Sequence, residues 1–231
     1  MASRPIFLVN ADGAELVSTH EVNFTWYAGM SIDRRRMSAR SLQEAAHARY
    51  PERRFLEVSR MSDEPLGTKL SAFNLLFPEG NRSARRPVEC VFQSSKIFEH
   101  GGPFRDLLEA HPADAKRDER LRKSGRLIAF EFDGQRWSSE PLTAFYDWIY
   151  ITALVADSDC SDAVLRYNGF TDIAFNPAKS FSCQAYAVAL YVALHQRDLL
   201  CCALSCPDAF LKTLKSTFEP ASSKPVQLPL L

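Results

Sequence analysis

No apolar run in this sequence of 231 residues approaches the ~20 needed to cross a bilayer as a helix. The first residues, MASRPIFLVNADG, hold an arginine but no sustained apolar stretch and no cleavage site, so no secretory signal is expected and the cytoplasm is the expected address. Glycine is scarce, at nine residues with no G-X-Y period, which excludes a collagen-like chain. No C-x-x-C pair occurs among the six cysteines, and the five histidines are scattered, so a structural zinc site is not expected. Cys90, Cys160, Cys183, Cys201, Cys202 and Cys206 are expected as reduced thiols packed like small apolar side chains. There is no G-x-G-x-x-G, Walker loop, G-x-S-x-G or H-E-x-x-H. These absences argue against a Rossmann dehydrogenase, a P-loop NTPase, an α/β-hydrolase and a zincin. Neither a metal nor a cofactor is expected.

Net charge is also absent, with 28 basic against 28 acidic residues, but the charges are unevenly placed. Eight arginines face three acids between Arg34 and Arg60, and Arg82, Arg85 and Arg86 form a second group. Six basic residues face two acids between Lys116 and Arg126. Such stripes are either solvated faces or surfaces for phosphates. What remains is an ordinary globular composition, 46% hydrophobic and 24% charged, in a chain long enough for a sizeable core without disulfides.

RPIFLVN and EVNFTWYAG read as strands, and SARSLQEAAHARY as a helix capped by Ser38 or Ser41 and followed by Pro51. FLEVSR alternates as a strand, and GTKLSAFNLLF reads as an extended run ending at Pro78 before the polar loop EGNRSARR. VECVFQSSKIFEH reads as a helix ended by Gly101-Gly102-Pro103. FRDLLEAHP reads as a short helix, AKRDERLRKSGR as a charged helix or loop, and LIAFEFDG as a strand turning at Asp133-Gly134. PLTAFYDWIYITALVA and CQAYAVALYVALHQRDLL read as buried helices, separated by the irregular FTDIAFNPAKSFSCQ. The last residues, FEPASSKPVQLPLL, read as a frayed tail. Strands and helices mix without strict βαβ alternation, so the expected class is α+β. The expected division is a strand–helix–strand region over 1–66, packed on a core over 67–212, with a Pro/Ser-rich tail over 213–231.

One pattern stands out chemically. On the predicted helix, Val88, Val91, Phe92 and Ser95 share one face and Glu89, Gln93 and Lys96 another. That polar face is either solvated or lines a pocket. In a pocket, desolvation would push the Lys96 amine down while Glu89 would pull it up. Gly101 and Gly102 either cap the helix or let backbone approach a ligand. Asp147, inside an apolar helix, needs a partner or a role. Asp172, Asn176, Lys179, Ser180 and Gln184 crowd one loop. Asn176-Pro177 suits a turn there, and Ser180 or Ser182 a helix cap.

In order along the chain, LSAFNLLF, VECVFQSSKIFEHGGPF, AKRDERLRKSGRLIAFEFDG, TAFYDWIYITAL and FTDIAFNPAKSFSCQA resemble the NADAR family. Within it they resemble the bacterial antitoxins encoded beside DarT-type DNA ADP-ribosyltransferase toxins, from about Arg4 to about Leu200. In the family an L-S-N-F segment precedes a helix of the form V-E-H-x-Y-Q-x-x-K. Here Leu70, Ser71 and Phe73 match and Ala72 departs, with Asn74 two residues on; Val88, Glu89, Gln93 and Lys96 match, while Cys90 and Phe92 replace the His and Tyr. No W-G-x-G segment follows, and FNPAKSFSCQA stands in its place.

The resemblance implies a YbiA-like α+β fold with a small sheet and an N-terminal extension. It implies cleavage of N-glycosidic bonds, and in the antitoxin branch removal of ADP-ribose from guanine in DNA. On that basis Lys96 is expected as nucleophile or acid and Glu89 as charge-tuning carboxylate or base, with Asp147 and Asp172 as further catalytic candidates. Ser71, Phe73, Asn74, Gln93, Gly101, Gly102, Asn176 and Lys179 are expected to bind ADP-ribose. Arg34, Arg35, Arg36, Arg85 and Arg86, with Trp26 or Tyr27 as stacking platform, are expected to follow a single DNA strand. The implied partners are ADP-ribosylated single-stranded DNA, ADP-ribose as product, and a DarT-type toxin, with no membrane. Alternatives are a module that binds ADP-ribose without turnover, an antitoxin that neutralises its toxin by binding it, and a small-molecule N-glycosidase.

Overall fold

Four consecutive apolar residues, Ile6 to Val9, need cover on both faces of any strand they form. They obtain it. A computed structural model describes residues 1–78, 85–178 and 180–216. In it β1 (Ala2–Val9) lies between β2 (Val17–Phe24) and a strand from far along the chain. Ile6 and Leu8 pack with Leu42 and Ala46 of helix α1 (Ile32–Arg49), while Phe7 and Val9 face the main core. The chain continues through β3 (Phe55–Glu57), α2 (Pro65–Lys69), β4 (Leu76–Pro78), β5 (Arg85–Pro87), α3 (Val88–Ser94) and β6 (Lys96–Phe98). A 3-10 helix at Arg105–Leu108, α4 (Pro112–Arg117) and α5 (Arg120–Lys123) lead to the hairpin of β7 (Leu127–Phe132) and β8 (Gln135–Ser138). Then come α6 (Ala144–Val155), α7 (Ser158–Val164), β9 (Gly169–Thr171), α8 (Gln184–Gln196), α9 (Leu200–Ala203) and α10 (Pro207–Ser216).

The strands form three small sheets, ordered β2-β1-β9-β3, β4-β5 and β6-β7-β8. β1 runs antiparallel to β2 and β9, and β3 is parallel to β9. Helices α6 and α8 pack against each other, α8 also covers β1, and together they form the centre of the core. The mixed α+β class read from the pattern is the observed one. The Asp133-Gly134 turn closes β7 to β8 as expected, with φ values of 49° and 74° that suit a two-residue hairpin.

Four local readings are corrected. The predicted helix starting at Ser38 begins at Ile32, because the Ser31 hydroxyl accepts from Arg34 N (3.3 Å) and caps two solvated turns that have no apolar periodicity. Ser38 and Ser41 are not caps; their hydroxyls accept from Tyr27 N (3.0 Å) and Thr25 N (3.1 Å), and β2 ends at Phe24. GTKLSAFNLLF is not extended throughout. Pro65 starts α2, and a Cβ on Gly67 would lie 2.0 Å from the Glu57 carbonyl, so α2 sits directly on β3; only Leu76–Pro78 is strand. The predicted helix over VECVFQSSKIFEH stops at Ser94. The Ser94 and Ser95 hydroxyls both bond back to the Val91 carbonyl (3.0 and 2.7 Å), and Lys96–Phe98 pair with β7 instead. FRDLLEAHP resolves into the 3-10 helix and a loop before Pro112. Arg82, most of the EGNRSARR loop, Lys179 and the tail from 217 onward lie outside the described residues.

Candidate active site

Helix α3 has no solvent face. All seven of its residues are buried, because α6 and β4 cover one side and the 3-10 helix and α4 the other. Its carboxylate, Glu89, is therefore a charge taken out of water, 4% exposed, and needs compensation. Gln93, one turn on, donates through Nε2 to Glu89 Oε1 (2.8 Å). The Gln93 Oε1 in turn accepts from Lys96 Nζ (2.8 Å). Lys96 is the first residue of β6, not the next turn of the helix, yet the chain reversal after Ser95 brings its amine back over α3. The amine lies 4.3 Å from the centroid of the Phe92 ring and 5.8 Å from that of Phe181. Burial lowers the Lys96 amine to about 8, against the pull of Glu89 and with help from the Lys116 charge. Lys116, on α4, pairs with Glu89 Oε1 at 3.5 Å while its own side chain stays 58% exposed.

The segment Leu70–Asn74 is tied to the same place. The carbonyl of Ala72 accepts from Glu89 N (2.9 Å), and its N–H donates to Gln184 Oε1 (2.9 Å). Ser71 is buried beside it, and the half-buried Phe73 ring carries Lys116 on its face at 5.5 Å. Asn74 is exposed, and its amide donates to the Thr68 carbonyl (2.8 Å).

Asp172 follows β9. Its Oδ1 accepts from Ala174 N (2.9 Å) and Phe175 N (3.1 Å), and Cys183 Sγ lies 3.8 Å from Oδ2. Burial, then the charge of Glu57, push its carboxyl up to about 7, while Lys116 opposes both. Tyr146 feels the charges of both Glu89 and Asp172. Lys116 and Tyr146 thus link the α3 relay to Asp172. Asp147 is on α6. It is 1% exposed, and neither carboxylate oxygen reaches a hydrogen-bond partner among the described residues. Burial pushes it up to about 7. Its charge acts on Tyr186 and Cys183, whereas the charges acting on Lys96 are Glu89 and Lys116.

The two glycines serve the backbone. Gly101 accepts from Phe98 N (2.8 Å), and Gly102, at φ +89°, leaves only 2.2 Å between a Cβ and the carbonyl oxygen of Lys96. The close approach is to the chain that carries the amine, and neither glycine caps α3. Asn176 does start a turn, accepting from Ala178 N (3.1 Å). Ser180 and Ser182 do not cap α8, whose N-cap is Cys183 without a side-chain bond. Gln184 is spent on structure, donating also to the Val58 carbonyl (2.6 Å).

The basic residues divide. Arg34, Arg35 and Arg36 project from the exposed first turns of α1, with Trp26 42% exposed nearby in sequence and Tyr27 half-buried. The Arg4 guanidinium lies 5.7 Å from the Trp26 centroid. Arg85 is exposed on β5, but Arg86 is half-buried and paired with Glu109.

Several groups here went unread in the sequence. Glu57 is fully buried and accepts from Ser59 Oγ (2.6 Å), Thr171 Oγ1 (2.6 Å) and Ile173 N (2.9 Å), which fixes the corner bearing Asp172. The alternation of FLEV placed it in a strand but did not mark its acid as interior. Phe181 and Lys116 carried no signal, since only the fold sets them against Lys96 and Glu89. Among the cysteines, Cys90, Cys160 and Cys183 are buried, but Cys201, Cys202 and Cys206 are exposed, so the expectation of packed thiols holds for three. A concavity of about 430 Å³ is lined by Val9, Asn10, Asp12, Arg53, Asn168 and Gln196; no predicted site residue borders it. Among the described residues no helix is long and apolar enough to cross a membrane, and no group of three or more His, Cys, Asp or Glu is arranged to hold a metal.

A family model described as the DarT1-associated NADAR antitoxin matches residues 2–224. No curated protein matches the chain.

Proposed function

Because the chain belongs to the DarT1-associated NADAR antitoxin family, we propose that it is a DNA ADP-ribosyl glycohydrolase that removes ADP-ribose from guanine and so reverses the action of a DarT1-type toxin. The observation that carries this reading is the relay Glu89–Gln93–Lys96, in which a buried carboxylate and a partly desolvated amine are held by one amide beneath two aromatic rings. The reaction breaks the bond from the anomeric carbon to a guanine nitrogen and adds water across it. The base leaves with a proton, and the sugar keeps the hydroxyl. Departure of the base builds positive charge on the sugar, which in this reading Glu89 stabilises. Lys96, lowered to about 8, exists in both protonation states near neutral pH. As ammonium it delivers the proton to the departing nitrogen. As amine it condenses with the ring-opened sugar and expels the base, and water then hydrolyses the imine. Asp172 is a further candidate acid. We assign catalysis to residues 67–212, with 1–66 packed on that core; the tail expected from 213 does not begin there, because α10 runs on to Ser216 and buries Leu214. Single-stranded DNA follows Arg34, Arg35, Arg36 and Arg85, in the cytoplasm.

The test is incubation with ADP-ribosylated single-stranded DNA followed by mass spectrometry. Released ADP-ribose and restored guanine are expected, and borohydride is expected to trap an adduct on Lys96 if the imine route operates. Modified DNA that stays unchanged overturns the reading. Neutralisation of the toxin by the Lys96→Ala variant, with co-elution of the pair, would show that the antitoxin acts by binding.

A further inference from the structure

Two cations share one ring at the edge of this relay. Arg60, exposed after β3, holds its guanidinium 4.5 Å from the centroid of Phe73, and Lys116 holds its ammonium 5.5 Å from the same centroid. The ring faces attract both, but gathering two like charges there is unfavourable unless an anion joins them. No carboxylate among the described residues lies within ion-pairing distance of Arg60. Lys116 has one, Glu89, at 3.5 Å, which is longer than the 2.8 Å hydrogen bond that Glu89 already accepts from Gln93. Both residues are exposed, and Lys116 also reaches the buried Glu89.

We infer that Arg60, Lys116 and Phe73 form a diphosphate subsite, which takes the pyrophosphate of the ADP-ribosyl group while its ribose lies over Glu89 and Lys96. The inference rests on the glycohydrolase reading for the placement of the ribose, but not for the anion. Two exposed donors flanking a flat apolar ring suit a doubly charged, multi-oxygen anion better than a single carboxylate. Filling the subsite would also draw Lys116 away from Glu89, leaving that carboxylate to the developing charge on the sugar.

The experiment is calorimetric titration of the full chain with free ADP-ribose, which needs no turnover. Arg60→Gln and Lys116→Gln are each expected to weaken ADP-ribose about tenfold or more, with thermal melts reporting that both variants fold. A second arm uses modified DNA trimmed by phosphodiesterase and phosphatase to bare ribosyl-guanine. Wild type and the Arg60→Gln variant are expected to bind this substrate equally, because the diphosphate is gone. A third arm uses unmodified single-stranded DNA. Equal weakening there and with ADP-ribose would assign the cations to the strand backbone and overturn the subsite. So would unaltered ADP-ribose binding in both variants, a wild type that does not bind ADP-ribose, or equal loss on the trimmed substrate. If modified DNA is never cleaved but the titrations behave as expected, the glycohydrolase reading fails and the subsite stands.

Discussion

Lys96 is held where its charge is costly. Its amine is lowered to about 8 from 10.5, chiefly by burial, with Glu89 opposing and Lys116 assisting. A group depressed in this way gives its full stability contribution only above its unfolded value, and loses it as pH falls through about 8. At neutral pH the folded chain therefore carries the whole cost. Lys96→Met is expected to raise the melting temperature at pH 7 while lowering single-turnover release of ADP-ribose by ~10²-fold or more. Calorimetric melts and a quench assay check the two together; a lower melting temperature would show that the amine stabilises the fold. Asp147 carries the opposite sign. Its carboxyl is raised to about 7 from 3.8 by burial, so its contribution is full at low pH and is lost as pH rises through about 7. Asp147→Asn is expected to flatten the fall in stability between about pH 4 and pH 7, measured by urea unfolding. Because the Asp147 charge is not among those acting on Lys96, the same variant is expected to keep the pH profile of turnover.

At the scale of elements, the site depends on where α3 stops. A helix continued past Ser95 would still have placed Lys96 two turns from Glu89, so the pattern grouped Glu89, Gln93 and Lys96 through the wrong geometry. The break is set by two serines that bond back to Val91 and by strand pairing of Lys96–Phe98 with β7. Gly102 then closes over the Lys96 carbonyl, with 2.2 Å to any Cβ. Gly102→Ala is expected to cost at least ~1–2 kcal/mol, through both the steric clash and its positive φ. The same change is expected to reduce turnover beyond what partial unfolding explains, because the strand that moves carries the amine. Activity per folded molecule, from unfolding curves and rates on the same samples, reads that difference. The loop bearing Asp172 is fixed in a similar indirect way by Glu57, whose carboxylate gathers Ser59, Thr171 and Ile173. No sequence pattern announced that corner, since it joins residues more than a hundred positions apart.

For the whole molecule, zero net charge leaves the proposed DNA contact to local placement. Arg34, Arg35 and Arg36 are exposed on α1, whereas Arg86 is tied to Glu109. Replacing the first three by alanine is expected to reduce the log–log salt slope for single-stranded DNA by about 2, since each phosphate contact contributes ~0.7. Arg86→Ala is expected to leave that slope unaltered. Binding measured by anisotropy across a salt series tests both, and an unchanged slope in the triple variant would remove α1 from the DNA path. The sequence by itself determined the α+β class, the two buried helices, the hairpin at Asp133-Gly134 and the trio Glu89, Gln93 and Lys96. These are written in local periodicity, turn chemistry and side-chain type, which act over a few residues. Only the tertiary structure decided that Lys96 sits on a strand, that Phe181 lies beside its amine and Lys116 beside Glu89, and that Asp147 is buried in α6. Burial and the fields of distant charges arise when remote segments pack, and no short stretch of chain encodes them.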